Sequence, residues 1–134
     1  MIACEYAYML KINILAGVLL VALSGTARAD YKVKQYRQIM ASNDETTIAL
    51  FKSYLVGVGK GLAWANTGFR LNGSSQLFCV PAKMALLPEN ILDILARQIK
   101  EASTTMTEAE LSEEWVEPLM LVGLENAFPC PTKK

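Results

Sequence analysis

The chain has 134 residues, of which 13 are basic, 13 are acidic and none is histidine. Without histidine, catalytic triads and general bases built on imidazole are excluded, as are most zinc sites. The balanced charge gives no support for binding to nucleic acid or to an anionic membrane surface, since both select clustered lysine and arginine.

The first 29 residues are organised like a secretory signal peptide. Lys11 precedes an apolar run from Ile12 to Leu23, and the small-residue exit Ala27-Arg28-Ala29 follows. The run is shorter than the roughly 20 apolar residues that cross a bilayer. We therefore expect cleavage after Ala29 and export to the periplasm, with an uncleaved inner-membrane anchor as the alternative. Residues 1–8 carry an acidic residue where a positive charge is usual, which indicates a misassigned upstream start.

Residues 30–134 then form one small domain, whose two cysteines are Cys79 and Cys130. Two cysteines in an exported small domain usually pair, and a crosslink that closes roughly 50 residues stabilises it by about 4 kcal/mol. We predict a structural disulfide between them, with two free buried thiols as the alternative. A redox function is disfavoured because the chain has no Cys-x-x-Cys pair.

Helical patterns begin directly after the predicted signal peptide. Asp30 to Met40 is predicted to be a short amphipathic helix. Ser42, with Glu45 three residues later, has the spacing of a capping box and predicts the start of a second helix. Apolar residues at three-and-four spacing extend that helix to about Phe69.

The second helix contains three glycines at alternate positions. Gly57 and Gly61 are four residues apart and Trp64 follows three later, so these residues share a ridge, while Gly59 is expected to face away. We predict close packing of another helix on this ridge, the alternative being glycines that are merely tolerated. The chain lacks the Gly-x-x-x-x-Gly-Lys-Ser/Thr spacing of a phosphate-binding loop. Pairing of this helix with another inside a membrane is disfavoured because Lys52 and Lys60 would lie in lipid.

An irregular segment from Arg70 to Pro88 follows. Pro88 is predicted to open a third helix that ends near Ala102, and Pro118 a last helix. The residues expected to face inward are Ile91, Leu92, Leu95 and Ile99 in the third helix, and Leu119, Val122, Leu124 and Phe128 in the last. The predicted fold is therefore all-α, a small disulfide-stapled domain of about four helices.

Five carboxylates lie between Glu108 and Glu117. A pair of carboxylates is the catalytic apparatus of glycosidases. The spacing here is instead that of the solvated face of a helical turn, which we favour. We predict no catalytic residue, no metal ligand and no cofactor.

Four stretches, "YLVGVGKGLAWAN", "LFCVP", "LPENILDILARQI" and "LENAFPCP", resemble the Rap/Tai family of periplasmic immunity proteins of type VI secretion. The most specific element is the cysteine pair, with Cys79 in a Cys-x-Pro sequence and Cys130 in Phe-Pro-Cys-Pro, on either side of a helix opened by proline. The resemblance implies a small, all-helical, disulfide-stapled domain, often a homodimer, that binds and silences a peptidoglycan amidase. The chain departs from the family at Met40 and Phe51, in the region where members often carry another cysteine pair.

Two classes of function follow from this reading. We expect a toxin inhibitor that occludes a secreted amidase, with a periplasmic chaperone, stress protein or structural envelope protein as the alternative. Large aromatic residues often anchor interfaces, so Phe69 and Trp115 are the candidate partner-binding residues. For Trp64 we favour core packing.

Overall fold

The computed structural model describes residues 30–131. The fold is all-α, as predicted, and comprises α1 Val33–Met40, α2 Glu45–Leu71, α3 Pro88–Ala102, α4 Glu108–Glu113 and α5 Val116–Ala127. The fifth helix arises because the acidic segment forms a short helix of its own, α4. None of these helices has the length and apolar content needed to span a bilayer. The predicted signal peptide at residues 1–29 lies outside the described residues.

Helix α1 begins three residues later than predicted because the backbone before it pairs with another segment. Lys32 forms an antiparallel bridge with Trp115. Val33 N–H donates to the carbonyl of Glu114, and Val116 N–H donates to the carbonyl of Tyr31, both at 2.9 Å. These two hydrogen bonds join the start of the described chain to the junction between α4 and α5.

The cap of α2 also differs from the predicted one. Asp44, not Ser42, is the N-terminal cap, and its carboxylate accepts hydrogen bonds from the backbone N–H groups of Thr46 and Thr47 at 3.1 Å. Asp44 lies directly before the first helical residue, where a short acidic side chain best reaches the free N–H groups. The hydroxyl and N–H of Thr47 lower the pKa of this exposed carboxyl.

The core lies between α3 and α5, and α2 packs across both. Helix α3 has the predicted bounds and its Ile91, Leu95 and Ile99 are buried as expected. Helix α5 begins two residues before Pro118, which lies in the first turn, where its missing N–H costs no helical hydrogen bond. The largest fully buried side chains among residues 30–131 are Phe78, Leu55, Ile91, Leu95, Leu111, Met120, Leu124, Val33 and Val116.

The prediction for Val122 was wrong. Its side chain is among the exposed large hydrophobic groups, whereas Leu119 and Leu124 are buried. Gly123 occupies the α3-facing side of this helix. A Cβ atom there would lie 2.9 Å from Ile94 Cγ2, so the absence of a side chain lets α5 approach α3 closely.

The predicted packing of the glycine ridge was also wrong within the described chain. A Cβ atom on Gly57 or Gly61 would meet nothing within 4 Å, and Trp64 is 76% exposed. The close contact is made by Gly59, where a Cβ atom would clash with Ile91 Cγ2 on α3. Gly59 is four residues after the buried Leu55, so it continues the buried stripe of α2.

The predicted disulfide is confirmed. Cys79 and Cys130 are bonded, with Cα atoms 4.8 Å apart and 51 positions separating them in sequence. Cys79 N–H also donates to the Phe128 carbonyl at 2.7 Å. Together these contacts fasten the irregular segment before α3 to the end of α5.

Candidate interaction surface

The solvent side of α2 carries an unusual amount of apolar surface. Seven of the nine exposed large hydrophobic side chains of residues 30–131 lie on α2 or in the segment that connects it to α3. The other two are Trp115 and Val122. The seven are Leu50, Trp64, Phe69, Leu71, Leu77, Met84 and Leu87.

Part of this surface forms one stripe, which we call the α2 outer face. Its apolar and glycine positions recur at helical spacing, so they line one side of α2. Trp64 and Leu71 are 76% and 75% exposed, and both Gly57 and Gly61 face open space. The α2 outer face is defined by Leu50, Gly57, Lys60, Gly61, Trp64, Gly68 and Leu71.

A groove adjoins this face at the C-terminal half of α2. Its volume is about 520 Å³, and its other wall is the connecting segment from Gln76 to Leu86. Thr67 lines the groove and is three residues from Trp64, so the groove and the α2 outer face share an edge. We call this cavity the α2 groove. Its lining residues are Ala63, Asn66, Thr67, Arg70, Gln76, Phe78, Val80, Ala82, Met84 and Leu86.

A buried asparagine fixes the wall of the α2 groove. Asn66 Nδ2 donates to the carbonyl of Phe78 at 2.6 Å, and its Oδ1 accepts from Leu77 N–H at 2.8 Å. Asn66 is buried although it is polar. A satisfied buried amide holds an irregular backbone in one position, because breaking either bond would leave a polar group unpaired. The groove is therefore a built feature of the fold.

The two predicted partner-binding aromatics lie in different places. Phe69 is 41% exposed, near the end of α2 and beside the α2 groove residue Arg70. Trp115 is 39% exposed and lies at the bridge with Lys32, whose Nζ is 5.2 Å from the centre of its ring. The structure therefore places Phe69 on α2 but outside the α2 outer face, and it assigns Trp115 a contact within the chain.

The acidic segment makes defined contacts with the N-terminal part of the fold. Glu113 pairs with both Lys32 and Lys34, the latter at 2.6 Å, and Glu108 pairs with Arg37. Glu110 accepts a hydrogen bond from Thr107 N–H at 2.9 Å, which completes a capping box for α4. Glu108 and Glu113 therefore orient α4 against α1, whereas Glu110 caps α4 itself.

Glu117, the last carboxylate of the acidic segment, accepts hydrogen bonds from two tyrosines. Its Oε1 accepts from the Tyr54 hydroxyl and from Tyr31 N–H, the latter at 3.3 Å. Burial, followed by the bond to Glu117, raises the pKa of the Tyr54 phenol. The rings of Tyr31 and Tyr54 are 5.1 Å apart, edge to face. This cluster links α2 to the start of α5.

The ion pairs of Glu113 predict a specific dependence on pH. Hydrogen bonds from Lys32 and Lys34 lower the pKa of Glu113 from its ordinary value of 4.5 to about 2. Since the folded-state pKa is the lower one, its contribution to stability is complete above pH 4.5 and is lost as the pH falls towards 2. In a Trp64→Phe background, Trp115 fluorescence should change with a midpoint nearer 2 than 4.5. Glu113→Gln should remove that transition, and a transition unchanged by this substitution would contradict the assignment.

These features define a small all-α domain that is fastened by one disulfide and presents an apolar face on its longest helix. Among residues 30–131, no group of three or more Cys, Asp or Glu side chains is placed to hold a metal ion. The chain matches no protein-family model, and no curated protein or solved structure matches it.

Proposed function

We propose that this protein is a periplasmic binding protein that neutralises a cell-wall-degrading amidase by covering its active site. The observation that carries the proposal is the concentration of exposed apolar side chains on the α2 outer face and around the α2 groove. Large apolar patches on small domains mark interaction sites, and tryptophan is a frequent anchor of such sites. Occlusion requires no catalytic residue and no cofactor.

Two further observations support this proposal. The Cys79–Cys130 disulfide suits an oxidising compartment such as the periplasm. The sequence resemblance to the Rap/Tai immunity proteins supplies the class of target, a secreted peptidoglycan amidase of type VI secretion, and also implies a homodimer. Export through the signal peptide at residues 1–29 is part of the same proposal.

The alternative is a periplasmic chaperone or another envelope protein, because exposed apolar surface also suits binding of unfolded clients. The two differ in selectivity. An inhibitor forms a complex of fixed stoichiometry with one hydrolase, whereas a chaperone binds several unrelated chains weakly. An acid-activated chaperone would also bind more as carboxylates protonate and apolar surface is exposed.

Co-expression with a periplasmically targeted peptidoglycan amidase of type VI secretion tests the proposal. We expect protection against lysis and capture of that amidase at a fixed ratio, with no suppression of aggregation of unrelated clients at low pH. Replacing Trp64 and Leu71 with alanine should weaken capture at least about tenfold, since exposed anchors of an interface dominate its binding energy. Broad client binding without capture of the amidase would favour the chaperone.

The matched control is Val122→Ala, which truncates an exposed apolar side chain on α5. It should leave capture unchanged. Thermal melts of all variants should agree with the parent, because the three side chains contribute little to the core. An equal loss of capture in the control would show that the α2 outer face is not the binding site.

A further inference from the structure

The charges of the domain are divided sharply along the chain. Residues 46–88, which comprise nearly all of α2 and the connecting segment, contain no Asp or Glu and four cations. Residues 89–131 contain nine carboxylates and only two cations. The net charge of the chain is therefore near zero because two halves of opposite charge cancel. One is a cationic half around α2, and the other is an acidic half formed by α3, α4 and α5.

The cations of the α2 half are not neutralised within the described chain. Its ion pairs within residues 30–131 involve Lys32, Lys34, Arg37 and Arg97. The cations of the α2 half are all exposed and none has a carboxylate of those residues within 4.0 Å. They are Lys52, Lys60, Arg70 and Lys83.

Three of these cations border the apolar surface described above. Lys60 is four residues before Trp64, so the two are neighbours on α2. Arg70 lines the α2 groove, and Lys83 lies between its lining residues Ala82 and Met84. Exposed apolar area, a concave groove and unpaired cations thus coincide, with no carboxylate in the same stretch of chain.

We propose that the α2 outer face and the α2 groove bind an acidic protein surface that inserts an apolar side chain into the groove. This inference rests on the proposed function and names the chemistry of the partner's contact surface. A central apolar anchor surrounded by complementary charge is the usual composition of a specific interface, in which charge sets the association rate and the choice of partner.

Other occupants fit these observations less well. A symmetric contact with a second copy through this face would bring two sets of unpaired cations together, so a homodimer would use a different face. A lipid surface satisfies cations but does not fill a groove of about 520 Å³. Nucleic acid selects denser cationic clusters than four residues spread over this stretch.

The test uses the mature chain, labelled with nitrogen-15, and two synthetic amphipathic helical peptides. Both peptides carry the same leucine and tryptophan face, and their polar faces carry only glutamate or only lysine. Vesicles of phosphatidylglycerol and phosphatidylcholine serve as the lipid probe. The charge-reversal variant is Lys60→Glu with Arg70→Glu, and its matched control is Arg97→Glu with Lys100→Glu on α3, which makes the same change in net charge.

We expect the glutamate peptide to bind and to shift the Trp64 indole resonance and the Gly57 and Gly61 amides. Binding should weaken with added salt, because exposed charges are screened. It should be about tenfold weaker in the Lys60 and Arg70 variant and unchanged in the control. The lysine peptide should not bind.

Several results would overturn the inference: no binding of the glutamate peptide, equal binding of the lysine peptide, or equal loss in both variants. Tighter binding to phosphatidylglycerol vesicles would instead assign the surface to a membrane. Self-association that shifts the same resonances would assign it to a second copy. Amidase capture that is insensitive to Lys60 and Arg70 would contradict this inference alone, whereas peptide binding without amidase capture would contradict the proposed function alone.

Discussion

Replacing both Cys79 and Cys130 with alanine should lower the free energy of unfolding by about 4 kcal/mol, since the crosslink closes a loop with a sequence separation of 51. The loss is a large fraction of the stability of a domain of this size. It should be measured by urea unfolding of residues 30–134, followed by circular dichroism. The α2 groove should also become less ordered, because one of its walls is the connecting segment that Cys79 bonds to Cys130.

Reduction of the parent protein provides the control for this result. Reduced parent and double variant should unfold at the same denaturant concentration, well below that of the oxidised parent. Titration of the unfolded, unreduced parent with a thiol reagent should give no reactive group. Two reactive thiols, or an unchanged midpoint in the double variant, would contradict a structural disulfide.

The three alternating glycines of α2, Gly57, Gly59 and Gly61, should respond to alanine with opposite signs. Gly59→Ala should destabilise the domain by about 1–3 kcal/mol, because the new methyl group would clash with the buried, β-branched Ile91. Gly57→Ala and Gly61→Ala should stabilise it by up to about 1 kcal/mol each, because alanine favours the helix and their sites are open. Thermal and urea unfolding of the single variants measure these effects.

The same variants separate packing from partner binding. Gly57 and Gly61 belong to the α2 outer face, so their alanine variants should be more stable yet bind the partner less well. Gly59→Ala should affect binding only as far as it unfolds the domain. Stabilisation by Gly59→Ala would mean that α2 presents a different side to α3.

Elements with a local signal were predictable from the sequence. Pro88 and the apolar spacing of Ile91, Leu95 and Ile99 indicated the bounds of α3, and the two cysteines that follow the predicted signal peptide indicated the disulfide. The buried side of α2 was harder to predict because Leu50, Trp64 and Leu71 are apolar yet face outward. A helix with apolar residues on both sides has no single periodic stripe, so periodicity alone does not select its buried face.

Other features depend on contacts between distant residues. The bridge between Lys32 and Trp115 makes α1 shorter than predicted, and no local sequence pattern around either residue indicates that they pair. Asn66 is polar, and its burial follows from the path of the connecting segment, whose backbone it binds. The α2 groove is likewise formed by two segments, so its existence followed only from the folded arrangement.

The hydrogen bond from Val116 N–H to the Tyr31 carbonyl also bears on the order of folding. Both this contact and the disulfide require the last part of the described chain, one through α5 and the other through Cys130. During synthesis α1 and α2 can form early and α2 can pack against α3, but Tyr31 and Cys79 lack these partners until Val116 and Cys130 have been made. Closing such long loops is slow relative to helix formation. The domain should therefore reach its protease-resistant form only after Cys130 has been synthesised, and a nascent chain stalled before α5 should remain open to cleavage.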